Sequence, residues 1–104
     1  MIYEMRTYRL KTGAVPAYLK LVEEEGIEVQ KSHLGRLVGY FSSDIGALNE
    51  VVHIWAYEDL NDRAARRARL AADPHWQSFV PKIQALIETM ENKILEPAAV
   101  SPLR

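Results

Sequence analysis

Glu50-Val51-Val52-His53-Ile54-Trp55-Ala56-Tyr57 reads as a β-strand with two unlike faces. At a side-chain period of two, Val52, Ile54 and Ala56 share one side, while Val51, His53, Trp55 and Tyr57 share the other. The first side is hydrocarbon. The second carries an imidazole, an indole and a phenol. Downstream, Asp59 or Asp62 can cap a helix that runs to about Ala72, with Leu60, Ala64, Ala68 and Ala71 as its buried stripe. Asp73-Pro74 breaks that helix. A second helical stripe follows through Trp76, Phe79 or Val80, Ile83, and Leu86 or Ile87. Pro81 lies inside it and predicts a kink or a short first segment. Thr89 to Leu95 is the last strand.

Upstream, residues 36–42 form another strand, with Leu37, Gly39 and Phe41 opposite Val38, Tyr40 and Ser42. Ser43-Asp44-Ile45-Gly46 is a hairpin turn. Before it comes a helix from about Pro16, a residue suited to a first helical turn, through Val15, Val22, Gly26, Val29 and His33. Gly35 is its C-cap. Gly26 in a helix interior costs about 1 kcal/mol relative to Ala, which a close approach to the sheet would explain. Residues 2–10 alternate as the first strand, and Lys11-Thr12-Gly13 is a turn. The order is β-α-β-β-α-β, an α+β, ferredoxin-like arrangement with an antiparallel sheet and helices on one face. The other sheet face is expected to be bare. The aliphatic side of strand 50–57 is assigned to the helices, together with Tyr3, Met5 and Thr7. His53 and Trp55, with Glu4, Arg6 and Tyr8, are assigned to the bare face. Ile2 and Leu10 argue against that choice, because they alternate with Arg6 and Tyr8 on the same side.

A chain of 104 residues fits one domain, expected over residues 1–97 with a tail at 98–104. Its 48% hydrophobic content excludes a disordered chain. A net charge of −1 provides no field for nucleic acid or anionic membranes. The absence of cysteine excludes disulfides, a thiolate nucleophile and Cys-type zinc sites. The N-terminus has no signal-peptide pattern, and no segment reaches the roughly 18 apolar residues of a membrane span. A soluble, cytoplasmic protein is expected.

Three blocks are similar to the NIPSNAP family. Tyr3, Glu4, Arg6, Tyr8 and Gly13 match its opening pattern. His53 to Arg63 (HIWAYEDLNDR) resembles its second block, and Ala72-Asp73-Pro74-His75-Trp76 its D-P-x-W segment. The resemblance implies a dimeric α+β barrel, in which two ferredoxin-like sheets pack face to face and enclose cavities. That superfamily includes cofactor-free monooxygenases, haem-degrading enzymes and isomerases, so the resemblance supplies a fold rather than a reaction.

The candidate site is Glu4, Arg6, Tyr8, Tyr40, His53 and Trp55. Arg6 offers a planar fork of donors to a carboxylate or enolate. His53 can move a proton near neutral pH. Trp55 and Tyr8 would be flat walls. The expected ligand is a small, partly apolar, acidic or phenolic molecule, with His53 as base and Arg6 as oxyanion stabiliser in cofactor-free monooxygenase- or isomerase-like chemistry. The alternative is a non-enzymatic homodimeric scaffold, its barrel filled by Trp55, Tyr40 and Tyr57, in which Glu4 merely neutralises Arg6. A third option is haem, with His53 as axial ligand; otherwise no cofactor is expected. His33 suits a helix C-terminus. His75 and His53 lack a third partner for metal. Arg63, Arg66, Arg67 and Arg69, flanked by acids, read as a solvated, salt-bridged face. The homodimer is expected to pair the faces carrying His53 and Trp55, burying on the order of 1,500 Å² or more.

Overall fold

The computed structural model describes residues 1–104. Its elements are β1 (Ile2–Leu10), α1 (Val15–Leu21), a π-helical turn (Val22–Gly26), α2 (Ile27–Leu34), β2 (Arg36–Ser42), β3 (Glu50–Tyr57), α3 (Leu60–Ala72), α4 (Pro74–Gln84) and β4 (Ile87–Leu95). The four strands form one sheet in the order β2-β3-β1-β4, with every neighbouring pair antiparallel. This is the expected ferredoxin-like α+β topology. No helix is long and apolar enough to cross a membrane.

Local chemistry sets the element ends. Asp59 caps α3 by accepting from the Asp62 N–H at 2.7 Å, and Asp73 caps α4 by accepting from His75 N–H at 2.8 Å and Trp76 N–H at 3.3 Å. Gly35 ends α2 at a positive φ of 86°, where a side chain would be strained. Pro81 does not break α4, which runs on to Gln84. The β2–β3 connection is longer than the expected four-residue turn. It spans 43–49 and closes with Asn49 at φ 59°.

The sheet faces are reversed from the sequence expectation. Register pairs Arg6 with His53, Tyr8 with Val51, and His53 with Tyr40. This side lies under the helices. Tyr8, Leu10 and Val51 form one core cluster with Tyr18, Val22, Phe79 and Ile83, and Trp55 and Tyr57 form a second with Leu34 and Leu70. Fully burying side chains of this size contributes about 1.5–3 kcal/mol each. Leu10 and Val51 supply the aliphatic anchors that hold a polar centre against the helices. Tyr3, Met5, Thr7, Val52, Ile54 and Ala56 take the open side. Phe41, 55% exposed, lies there over Gly39, where a Cβ would meet its ring at 2.6 Å. Pro97 and the tail residues Ala98 and Leu103 border a groove with Tyr3, Ile54 and Leu95 on the same side.

Three further expectations are corrected. A register shift between Leu37 and Gly39 opposes Leu37 to Trp55 and Tyr40 to His53, so both join the helix side, which strict alternation cannot do. Gly26 lies against a helix rather than the sheet: a Cβ there would sit 2.4 Å from the Phe79 ring. In α3 the alanines Ala64, Ala68 and Ala71 are exposed, and Leu60 is exposed too. The inward face is Arg63, Arg66, Arg67 and Leu70, because Arg63 and Arg67 are drawn to a buried carboxylate.

Candidate functional site

That carboxylate is Glu4, 0% exposed. Its Oε2 accepts from Arg63 Nη2 at 2.6 Å, Asn92 Nδ2 at 2.7 Å and Arg6 Nη1 at 3.1 Å. Oε1 has no hydrogen-bond donor, and Arg67 Nη1 stands 3.8 Å from it. Burial alone would raise the Glu4 carboxyl. The hydrogen bonds from Arg63 and Asn92, with the charges of Arg6 and Arg63, outweigh burial and hold it below its ordinary value. Three guanidinium groups therefore surround one carboxylate, leaving an excess of positive charge at one end of the helix–sheet interface.

Arg6 links this hub to the aromatic layer. Its Nε donates to Tyr8 Oη at 2.8 Å, and its guanidinium carbon lies 5.6 Å from the Tyr8 ring centroid. Tyr18 and Tyr40 share a hydrogen bond of 2.6 Å between their hydroxyls. Burial pushes both phenols well above their ordinary range, so both stay protonated. Tyr40 stacks on His53 with centroids 4.5 Å apart and planes 9° apart, and Tyr8 meets the same imidazole edge-on at 5.0 Å.

His53 is 1% exposed. Its Nδ1 accepts from Trp55 Nε1–H at 2.8 Å, and its Nε2 is buried without a protein partner. Burial, reinforced by the Arg6 charge, pushes His53 down to about 3, so the ring is neutral at physiological pH.

A cavity of about 160 Å³ opens between sheet and helices, bordered by Arg6, Tyr8, Tyr40, His53, Arg67 and Phe79 among others. Its size is close to the roughly 150 Å³ that holds a benzene molecule.

Of the residues expected from the sequence, Arg6, Tyr8, Tyr40 and His53 line this cavity. Glu4 and Trp55 stand behind them, each holding a lining residue by a hydrogen bond. The cavity lies within one chain, beneath the helices, rather than between two sheet faces. Tyr18, Phe79 and Arg67 were not anticipated. For Arg67 a signal existed: Arg63, Arg67 and Leu70 share a helical face at steps of four and three. His33 and His75 lie elsewhere. His33 Nε2 pairs with Asp73 at 2.8 Å, and His75 Nε2 with the Glu25 carbonyl at 2.6 Å.

The NIPSNAP family model matches residues 3–102. The chain is 36% identical over 101 residues to Protein NipSnap of Drosophila melanogaster, covering 97% of this chain and 36% of that protein. It is 35% identical over 97 residues to human Protein NipSnap homolog 3A, covering 90% of this chain and 38% of the relative. The chain thus spans well under half the length of these curated relatives. Among solved structures, Atu4242 of Agrobacterium tumefaciens is 70% identical with a TM-score of 0.98, both chains being covered in full. Atu5224 of the same organism, a NIPSNAP family protein, is 53% identical with a TM-score of 0.97 over 99% of this chain and 98% of that one. A putative antibiotic biosynthesis monooxygenase from Nitrosomonas europaea, 14% identical with a TM-score of 0.68 over 93% of this chain and 98% of that one, shares the fold. The resemblance carried by the Tyr3–Gly13, His53–Arg63 and Ala72–Trp76 blocks thus extends along nearly the whole chain, which belongs to the NIPSNAP family.

Proposed function

We propose that this protein binds a small, partly apolar, anionic molecule, a carboxylate or a phenolate of about one ring, in the cavity beneath the helices. The observation that carries this reading is the charge balance at the cavity wall. Arg6 and Arg67 border the space, while Glu4 is the one carboxylate that faces Arg6, Arg63 and Arg67. Buried cations attract a counter-charge, and guanidinium forks recognise carboxylates. Tyr8, Tyr40 and Phe79 supply walls for a ring. Chemistry of the cofactor-free monooxygenase or isomerase type would draw on the same donors, which stabilise an enolate or phenolate.

The test is a melting and calorimetric titration with benzoate, 4-hydroxybenzoate, phenol and benzylamine. The two carboxylates should bind and benzylamine should not. Arg67→Gln should weaken benzoate about tenfold, the loss of roughly 1.4 kcal/mol. Equal binding of benzylamine, or no binding by either carboxylate, rejects the reading.

A homodimer belongs to the same proposal, now through the opposite face. Half-buried Met5, Val52 and Ile54 and exposed Phe41 and Leu95 form an apolar sheet surface without a helix layer. Such a surface suits a second copy, and this observation also favours the scaffold reading, in which dimerisation is the function. The cytosolic location expected from the sequence completes the proposal; cell fractionation checks it.

A further inference from the structure

Trp55 and His53, two residues apart on β3, are joined by a buried side-chain hydrogen bond. An indole N–H can only donate. At 2.8 Å from Trp55 Nε1, His53 Nδ1 must be the acceptor, so it carries no proton. A neutral imidazole has one N–H, which then sits on Nε2. An imidazolium is excluded while this bond holds, since both its nitrogens would donate. The ring cannot turn over without losing the bond, because Tyr40 stacks on it and Tyr8 abuts its edge. The charged and titratable groups facing it are Arg6, Glu4 and Tyr8 on β1, Tyr40 on β2 and Arg67 on α3. The two cations oppose a third positive charge, and Glu4 is already engaged by three donors. The Nε2–H is buried, has no protein acceptor, and belongs to a ring that borders the cavity. A buried donor left unpaired is costly, and an acceptor atom on a bound molecule would relieve it.

We infer that Trp55 is a positioning residue that locks His53 in its Nε2–H tautomer, making His53 a fixed, neutral hydrogen-bond donor to an oxygen of the bound anion. This rests on the reading of the cavity as an anion site. It replaces the general-base role expected of His53: the one lone pair of the ring is occupied by Trp55. Any oxyanion in the cavity then meets the His53 N–H beside the Arg6 and Arg67 charges. Proton abstraction from a ligand has to come from another group.

The experiment uses the full chain labelled with ¹⁵N-histidine. Long-range ¹H–¹⁵N spectra are recorded at pH 5, 7 and 9, with and without benzoate, and His53→Gln assigns the signal. The expected result is a single Nε2–H tautomer for His53, unchanged from pH 5 to pH 9, whose Nε2–H resonance moves when benzoate is added. Trp55→Phe should release the lock, giving mixed tautomers or a titrating ring and benzoate binding about tenfold weaker. An Nδ1–H tautomer, or an imidazole that titrates near its ordinary value in wild type, overturns the inference whatever benzoate does. That measurement is made on the wild-type chain, with His33→Gln and His75→Gln assigning the His53 signal by elimination if His53→Gln does not fold. If benzoate binds but leaves Nε2–H unmoved, the cavity reading survives and the donor role fails. If the tautomer is locked but no benzoate binds, the cavity reading fails and takes the ligand role of His53 with it.

Discussion

Replacing Glu4 by Gln tests the central arrangement of the fold. The side chain is completely buried, and its Oε2 collects donors from Arg63 at 2.6 Å, Asn92 at 2.7 Å and Arg6 at 3.1 Å. The amide keeps the shape but removes the charge, and it turns one end into an NH₂ donor that faces guanidinium groups. Breaking a buried ion pair by neutralising one partner costs roughly 3–5 kcal/mol. Arg63 and Arg67 are 25% and 32% exposed at the side chain, so water screens part of the remaining repulsion and the low end, about 3 kcal/mol, is the appropriate figure. At about 4–8 °C per kcal/mol for a domain of this size, the melting temperature should fall by roughly 12–24 °C at pH 7. The Glu4 carboxyl is held below its ordinary value in the fold. Its contribution is therefore complete above the unfolded value of about 4.3 and disappears as pH falls through the folded value. Urea unfolding of wild type and Glu4→Gln should converge as the pH drops below 4. A variant within 1 kcal/mol of wild type at pH 7, or a gap that does not close in acid, would refute the assignment of Glu4 as the charge that holds Arg6, Arg63 and Arg67 inward.

The remaining expectations concern separate parts of the molecule. His53 is pushed down to about 3 in the fold, so the unfolded chain takes up a proton below pH 6.5 that the folded chain refuses; wild type should lose about 2 kcal/mol more than His53→Gln between pH 7.5 and pH 5, and parallel urea curves for the two would contradict this. Gly26→Ala drives a methyl to 2.4 Å from the Phe79 ring; overpacking of about 1–3 kcal/mol should exceed the helical gain of about 1 kcal/mol, with Phe79→Leu restoring stability in the double variant. Ile54→Lys places a charge in the middle of the open sheet face; light scattering should show the mass falling from two chains to one 11.9 kDa chain, and an unchanged mass would remove this face as the interface.

The elements themselves were legible because their signals are local. Alternation in 2–10 and 50–57, Asp59 as one of two candidate caps, Asp73-Pro74 as a helix break and Gly35 as a helix stop depend on neighbours within a few residues, and each stands where the pattern put it. The family was legible for the same reason, through short blocks at fixed positions. Arg6, Tyr8, Tyr40 and His53, singled out for their chemistry, border one cavity, although it lies beneath the helices rather than on the open face expected for Arg6, Tyr8 and His53.

Which side of the sheet the helices cover was not legible. Alternation separates two faces but does not orient them, and hydrocarbon on one face of β3 suggested the wrong answer. The tertiary structure resolved it through long-range satisfaction of one buried charge: Glu4 needs donors from β1, α3 and β4 at once. The same demand turned the arginines of α3 inward and its alanines outward, against their ordinary hydrophobic order. The bulge at Leu37–Gly39, which brings Tyr40 over His53, likewise depends on pairing with a distant strand. Sequence period thus determined the strands and helices. Only their packing decided which polar groups converge, because a buried carboxylate selects its partners in space, with no regard to their separation along the chain.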